Sequence, residues 1–113
     1  MRVELSRFQV RKGKSGLVDE WMEFLNKYLP EVLLTLQDEK MYVETIFRES
    51  TAEGEFLYWY SVQGDGGKRV DQSMHWVDQK HLEYWQECIE PDYSTDMKVE
   101  VVMIPKLIRQ VMG

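Results

Sequence analysis

The sequence predicts one α+β domain, in which a four-stranded antiparallel sheet carries two helices on one of its faces. Three features lead to this fold class. Two β-rich segments flank a turn, a helical pattern precedes and another follows that pair, and a β-rich segment stands near each end of the chain. The order of elements is therefore β-α-β-β-α-β, the ferredoxin-like pattern, and a short helix is expected after the last strand.

Length and composition restrict the class of protein. The 113 residues, 43% of them hydrophobic, suffice for a single domain, residues 1–113, with its own core. The formal net charge of −6 disfavours nucleic acid and anionic lipid, both of which bind clustered cations. The single cysteine fits a reducing compartment, and the sequence shows neither a signal peptide nor an apolar run of about 20 residues. We therefore expect a cytoplasmic protein without a nucleic-acid or membrane partner.

The first strand and the first helix occupy the beginning of the chain. Residues 3–10 have the composition of a strand, and "RKGKSG" is a turn whose Ser15 is suited to cap the next helix. Over residues 17–36 the apolar side chains recur at helical spacing. Pro30 lacks the backbone donor that a helix interior needs, so this helix is expected to kink or break there.

Two β-rich segments, "KMYVETIFRES" and "EFLYWYSVQG", flank the turn "TAEG" and predict a hairpin. Pairing Ser50 with Glu55 sets the register, and alternation then divides the side chains between two faces. The face expected to pack against the helices carries Met41, Val43, Thr45, Phe47, Phe56, Tyr58, Tyr60 and Val62. The opposite face mixes large apolar groups with charges, which suits a homodimer interface formed by Glu44, Ile46, Arg48, Leu57 and Trp59.

The second helix and the last strand follow the hairpin. Asp71 or Ser73 is suited to cap a helix that includes residues 75–85. The segment "CIEPDYSTD" is expected to end that helix, so the last strand is predicted at residues 99–104, "VEVVMI". Pro105 fits the first turn of a terminal helix.

The second helix places a histidine where a core needs an apolar side chain. At about 100° per residue, its apolar side comprises Met74, Val77, Trp85, Cys88 and Ile89. His81 lies near the middle of this stripe, with Asp78 about 60° away. An imidazole held by a carboxylate is suited to general acid–base chemistry, so His81 and Asp78 are the catalytic candidates. The expected ligand-binding residues are Tyr58 and Tyr60, which His81 should face, and Trp85, which lies beside His81.

Alternatively, His81 is a core residue whose ring is hydrogen-bonded to a tyrosine hydroxyl or a backbone carbonyl. An unpaired buried polar group costs about 1–3 kcal/mol, so burial requires a partner in either case. We expect His81 to face the sheet, with a tyrosine hydroxyl or Asp78 within hydrogen-bond distance.

The remaining histidine and the cysteine do not extend this site. His75 lies about 240° around the helix from His81, so the two cannot share a metal, and no metal site is predicted. Cys88 is about 10 Å from His81 along the helix, too far for a thiolate–imidazole pair, and should be a buried hydrophobic residue. The segment "GDGG" lacks the spacing of a phosphate-binding loop. No cofactor is therefore expected.

The segments "KMYVETIFRE", "FLYWYSVQG", "KHLEYWQECI" and "EVVMIP" resemble a small bacterial family of uncharacterised proteins. The resemblance covers nearly the whole chain and implies a fold of the dimeric α+β barrel type. In that superfamily two ferredoxin-like sheets pack face to face, and each protomer keeps a cavity between its sheet and its helices. In such a barrel Glu44 and Arg48 are alternatively a polar patch near the mouth.

The wider superfamily includes antibiotic-biosynthesis monooxygenases, haem-degrading monooxygenases and sugar mutarotases. By this resemblance, a mutarotase of the fold would have a catalytic histidine early in its chain and two adjacent tryptophans late in it. This sequence has neither feature, since its histidines are His75 and His81. The resemblance therefore implies the place of a site and carries over no residue role.

Two functions fit these residues. The first, which we expect because a single acid–base candidate is present, is a homodimer that binds a small organic molecule in the cavity without turnover. The alternative is a cofactor-free enzyme with monooxygenase-like or isomerase-like (mutarotase-like) chemistry, in which His81 is the general acid or base and Tyr58 or Tyr60 orients the substrate. A nucleic-acid stacking platform at "YWY" is disfavoured, since the chain is acidic.

Overall fold

The computed structural model describes residues 1–112; residue 113, the last of the predicted domain, lies outside the described residues. The strands and helices are β1 (Arg2–Val10), α1 (Ser15–Lys27), α2 (Leu29–Asp38), β2 (Met41–Thr51), β3 (Gly54–Gln63), α3 (Trp76–Cys88), β4 (Ile89–Asp96) and α4 (Lys106–Val111). The sheet is antiparallel with the strand order β2-β3-β1-β4. This topology confirms the predicted ferredoxin-like class with a short C-terminal helix. Within residues 1–112, every helix is too short or too polar to cross a membrane.

The first helical segment breaks at the predicted position. A single residue, Tyr28, separates α1 from α2, and Pro30 lies in the first turn of α2, where its missing donor costs no hydrogen bond. The predicted cap is wrong, because Ser15 is the first residue of α1 and makes no capping bond with its side chain.

The start of α3 also differs from the prediction. The capping residue is His75, whose Nδ1 accepts a hydrogen bond from the Val77 N–H (3.2 Å), rather than Asp71 or Ser73. The Ser73 hydroxyl oxygen in turn accepts from the His75 N–H (3.2 Å). His75 is therefore a half-buried structural residue and not a free surface side chain.

From Val43 onwards the hairpin has the predicted register but the opposite orientation, whereas the register shifts between Met41 and Val43. Ser50 pairs with Glu55, as the sequence predicts. The helices, however, cover the face that carries Leu57 and Trp59, so the predicted assignment of faces is wrong. Both faces of this hairpin carry bulky apolar side chains. A count of apolar residues therefore does not identify which face is buried.

The residues predicted to form a dimer interface consequently lie beneath the helices of their own protomer. Leu57 is fully buried in the core, and Ile46 and Trp59 pack against that core. Arg48 donates from Nη1 to Asp19 Oδ1 of α1 (2.5 Å). These contacts are incompatible with an interface to a second copy on this face.

The other side of the sheet, called the open face below, is defined by Leu5, Arg7, Phe47, Tyr58 and Tyr60. The strand pairing places these five side chains on one side, opposite the helices α1 to α3. Phe47 is 55% exposed there. The open face is therefore a partly apolar surface of the sheet.

The fourth strand lies earlier than predicted. β4 follows α3 directly and pairs with β1, whereas residues 99–104 belong to no strand. Pro91 and the acidic residues of "IEPDYSTD" are typical of a loop, so this strand is not predicted. Proline is tolerated in an edge strand, because an N–H that faces away from the sheet makes no hydrogen bond to a neighbouring strand. The chain leaves the sheet after Met97, whose N–H donates to the Leu5 carbonyl (2.8 Å).

The hydrophobic core fills one end of the layer between sheet and helices. Its members come from β1, α1, β3, α3 and the start of β4: Val10, Val18, Trp21, Leu57, Tyr84, Cys88 and Ile89. The predicted burial of Cys88 is confirmed, and burial raises the pKa of its thiol. The other end of the same layer contains a cavity.

Candidate functional site

A cavity of about 730 Å³ lies between the helix-covered face of the sheet and the helices α1 to α3. Its walls are mostly apolar and include Met22, Leu36, Ile46, Trp59, Leu82 and Trp85. A cavity of this size and lining is typical of sites for small organic molecules.

Five acidic residues line this cavity, and three of them lie away from its exposed rim. Glu39 directly follows α2, Glu44 extends from β2 on the helix-covered side, and Asp78 lies in the first turn of α3. Glu39 and Asp78 are only 8% and 6% exposed. Within residues 1–112, none of the ion pairs involves these three acids. The carboxyl cluster, as we call these three residues, is thus not neutralised by a cation of the chain.

Burial and mutual repulsion change the acidity of the carboxyl cluster. Burial raises the pKa of Glu39 to about 7, and the charges of Glu44, Asp78 and Asp38 add to this shift. Burial also raises the pKa of Glu44, although a hydrogen bond from the Trp59 side chain opposes the change. With this pKa Glu39 exchanges a proton near neutral pH, so the carboxyl cluster can both give and accept a proton.

The loop after β3 holds Glu39 in place. The Lys68 N–H donates to the Asp38 carbonyl (2.8 Å), and Nε2 of Gln63 donates to the Glu39 carbonyl (2.9 Å). A Cβ on Gly67 would approach the Glu39 carbonyl oxygen to 2.0 Å. Only glycine allows the loop to pack this closely, so the last glycine of "GDGG" helps to position the carboxyl cluster.

His81 faces the sheet from α3, and its ring centroid lies 5.6 Å from that of Trp59. Its hydrogen-bond partner is not the predicted tyrosine hydroxyl or Asp78: Nδ1 accepts from the indole Nε1–H of Trp21 on α1 (3.0 Å). Burial lowers the pKa of His81 to about 4, while the nearby Asp78 charge opposes the change.

The protonation state of the His81 ring follows from its lowered pKa and from its hydrogen bond with Trp21. With a pKa near 4 the ring is neutral at pH 7 and carries one proton. Because Nδ1 accepts a hydrogen bond, that proton is on Nε2. Since His81 lines the cavity, it offers a ligand an N–H donor.

The structure brings together only part of the predicted site. Asp78, His81 and Trp85 all line the cavity. Tyr58 and Tyr60 belong to the open face, so their predicted position beneath the helices is wrong and they do not line this cavity. The reversed orientation of the hairpin moves both tyrosines to the other side of the sheet.

The same reversal brings a predicted interface residue into the site. Glu44 lines the cavity, whereas Arg48 lies outside it and pairs with Asp19 and Glu55. Sequence reasoning misses Glu39 altogether, because "QDEK" resembles any exposed helix end. Trp21 is also missed, since its place on an apolar helix stripe predicts a core residue and no donor role.

The rim of the cavity carries cationic side chains, among them Arg2 and Arg69, which pair with exposed Glu4 (2.8 Å) and Asp71 (2.6 Å). Lys68 also lines the cavity, and within residues 1–112 none of these three cations forms an ion pair with the carboxyl cluster. Within the part of the chain that the structure describes, no three His, Cys, Asp or Glu side chains are arranged to hold a metal ion.

Comparisons with known proteins place the chain in a family. Residues 1–110 match the family described as "Family of unknown function (DUF6176)". The chain belongs to this family. Membership confirms the predicted relation to a family without assigned activity. Among curated proteins, none matches the chain.

A solved structure shares the fold. The chain is similar to L-rhamnose mutarotase from Formosa agariphila, with a TM-score of 0.58 and 16% sequence identity, over 94% of this chain and 100% of that one. At this identity the likeness shows the α+β fold of the DUF6176 chain and assigns no activity.

Proposed function

We propose that the protein binds a small, uncharged, polyhydroxylated organic molecule in the cavity between its sheet and helices. The observation that carries this proposal is the carboxyl cluster, which is buried beside the neutral ring of His81. Hydroxyl groups of a ligand donate to carboxylates, and they accept from protonated Glu39 and from Nε2–H of His81. Such a ligand satisfies buried acids that the chain does not neutralise.

The surroundings of the carboxyl cluster support this class of ligand. Trp59 and Trp85 offer apolar surface to a carbon skeleton. The negative charge of the carboxyl cluster disfavours phosphates and sugar acids. The similar structure is, by its name, a mutarotase of the sugar L-rhamnose, which agrees with a neutral polyol.

NMR titration tests the ligand class, with the indole N–H signals of Trp59 and Trp85 as reporters. Neutral monosaccharides, sugar phosphates and alkylamines are added in separate series. Neutral sugars should shift both signals, and Glu44→Gln should weaken their binding about tenfold, through loss of a charge-assisted hydrogen bond.

The control for this titration is Glu23→Gln, at an exposed carboxyl of α1, which should bind as the native protein does. Binding of amines or phosphates alone contradicts the ligand class. Sugar binding that Glu44→Gln leaves unchanged contradicts the location of the site.

A second candidate function is a cofactor-free isomerase, and the pKa of Glu39, about 7, favours it. The acid and base in this scheme are carboxyl groups, because His81 is neutral and its Nδ1 is occupied by Trp21. Glu39 protonates the ring oxygen of a cyclic sugar while Glu44 or Asp78 accepts the anomeric hydroxyl proton. The ring C–O bond breaks, a carbonyl forms, and closure on its other side returns both protons.

Anomer exchange of neutral sugars, followed by NMR saturation transfer, tests this second function. The native protein should accelerate exchange, and Glu39→Gln should lower the rate about 100-fold, the scale of general acid catalysis. Glu23→Gln should retain the native rate. Binding without acceleration rejects the isomerase and leaves the binding function.

We also propose a homodimer, formed through the open face and not through the helix-covered face that sequence analysis selects. Phe47 and Val43, which are 55% and 39% exposed on the open face, support this, since exposed apolar patches mark association surfaces. A stable dimer buries at least about 1,000 Å² in total. Sedimentation that shows a monomer at micromolar concentration contradicts it. The cytoplasmic location expected from the single cysteine stays a prediction.

A further inference from the structure

Residues 98–112, called the C-terminal arm here, make no hydrogen bond or ion pair with the rest of the described chain. The bond from Met97 to Leu5 is the last connection. Beyond it, hydrogen bonds and the pair of Lys98 with Glu100 stay within the arm. The radius of gyration of 14.9 Å exceeds the value of about 13 Å typical of a compact domain of this length, which fits an arm that extends from the body.

The C-terminal arm is also apolar and exposed. Val101, Met103 and Leu107 are 66%, 81% and 73% exposed. The arm helix α4 has six residues, too few for stability in water on its own. The segment "VEVVMI" has the composition of a strand but no strand partner in residues 1–112. Such an arm needs a surface to bind.

The open face supplies polar and apolar groups that fit an arm of this kind. The Arg7 guanidinium lies 3.8 Å from the centre of the Phe56 ring, and its Nε is buried without an acceptor in the described residues. On the far side of β3 from Arg7, β2 is an edge strand of 11 residues, which pairs only with β3. An orphaned donor and an unpaired edge both favour the addition of a peptide segment.

We infer that the C-terminal arm of each protomer binds the open face and the adjoining β2 edge of the other protomer. The inference rests on the homodimer proposed above and names the segment that forms it. "VEVVMI" adds to β2 as a strand, and the part of the arm that crosses the open face supplies an acceptor for Arg7. A two-fold arrangement covers both surfaces on both protomers, which one chain alone does not achieve.

Sedimentation of the full chain tests the role of the arm. The double variant Val101→Asp with Met103→Asp should raise the dimer dissociation constant about 100-fold or more. Leu34→Asp, at a 59% exposed leucine of α2 that lies outside the cavity, is the matched control and should dissociate as the native protein does.

The outcomes separate the two proposals. A native dimer that the arm variant does not weaken overturns the role of the arm and leaves the homodimer standing. A monomeric native protein overturns both. Equal weakening by Leu34→Asp also overturns the role of the arm, because the effect is then not specific to it.

Mixing two variants tests whether the arm binds the partner or its own protomer. The arm variant keeps a native open face, and Phe47→Asp keeps a native arm. If arms are exchanged, a heterodimer has one fully native contact and should be the main dimer in native mass spectrometry of the mixture. Statistical mixing, or no heterodimer, overturns the exchange, since an arm bound to its own chain gains nothing from the partner.

Discussion

The two ends of the layer between sheet and helices are built from the same elements but are filled differently. At one end Trp21, Leu57 and Cys88 are fully buried in an aromatic and aliphatic core. At the other end the side chains leave a cavity of about 730 Å³, with buried acids in its wall. The comparison indicates that stability comes mainly from the first end, so the second can hold groups that oppose folding.

The largest difference between the two ends is expected when a leucine in each is replaced by alanine. Leu57→Ala should lower the free energy of unfolding by about 2–5 kcal/mol, since it leaves a void in a packed core. Leu36→Ala, in the cavity wall and outside the core cluster, should cost less because that side chain already borders open space. Denaturant titration at fixed protein concentration measures both. Equal costs contradict the division into two ends.

The next effect concerns the loop that holds Glu39. Gly67→Ala should destabilise the protein by about 1–3 kcal/mol, because its Cβ would lie 2.0 Å from a carbonyl oxygen and the loop must move. Gly16→Ala, in α1 with no atom near its Cβ, should be neutral or stabilising. Thermal unfolding compares the two. If Gly67→Ala is as harmless as its control, the loop does not hold Glu39.

The pH dependence of stability distinguishes the acids from the histidine. Folding raises the pKa of Glu39 from 4.5 to about 7, so this group lowers stability progressively as pH rises through that window. Folding lowers the pKa of His81 from 6.5 to about 4, so this group lowers stability as pH falls through its own window. The two effects partly cancel in the native protein.

Single variants should expose each effect. Relative to the native protein, Glu39→Gln should gain on the order of 1–3 kcal/mol of unfolding free energy as pH rises from 4.5 to 7. His81→Gln should lose a similar relative amount as pH rises from 4 to 6.5. Denaturant titrations across this range measure both, with Glu23→Gln as control. A Glu39→Gln curve parallel to the native curve shows that Glu39 titrates as an ordinary exposed acid.

The smallest loss of stability is expected from removing the hydrogen bond between His81 and Trp21, where the two ends of the layer meet. His81→Leu leaves the buried Trp21 N–H without an acceptor and should cost about 1–2 kcal/mol. Combining it with Trp21→Phe in a double-mutant cycle should give a coupling of at least about 0.5 kcal/mol. ¹⁵N NMR should show the ring proton on Nε2. Strict additivity, or a proton on Nδ1, contradicts this hydrogen bond.

Local patterns in the sequence predict most helices and strands and the hairpin register, because turn residues and the spacing of apolar side chains are signals that extend over only a few residues. They do not predict which face is buried, since Tyr58 and Trp59 are adjacent, similarly bulky and point to opposite sides. β4 is missed because its proline and acidic residues are typical of a loop, yet are tolerated at an edge.

The site is predictable only in part for the same reason. The position of His81 on the apolar stripe follows from helical spacing, but its partner Trp21 lies 60 residues away in sequence. The carboxyl cluster joins the end of a helix, a strand and the start of another helix. No single stretch of sequence contains the signal, and the burial that raises the pKa of Glu39 exists only in the folded chain.

The pKa of Glu39, about 7, has a calorimetric consequence. A ligand that donates a hydrogen bond to its carboxylate lowers this pKa and releases a proton, whereas a ligand that accepts from the acid takes one up. The measured heat of binding near pH 7 should therefore vary with the ionisation enthalpy of the buffer, and the variation should disappear in Glu39→Gln. The sign of that slope reports whether the ligand meets Glu39 as a base or as an acid.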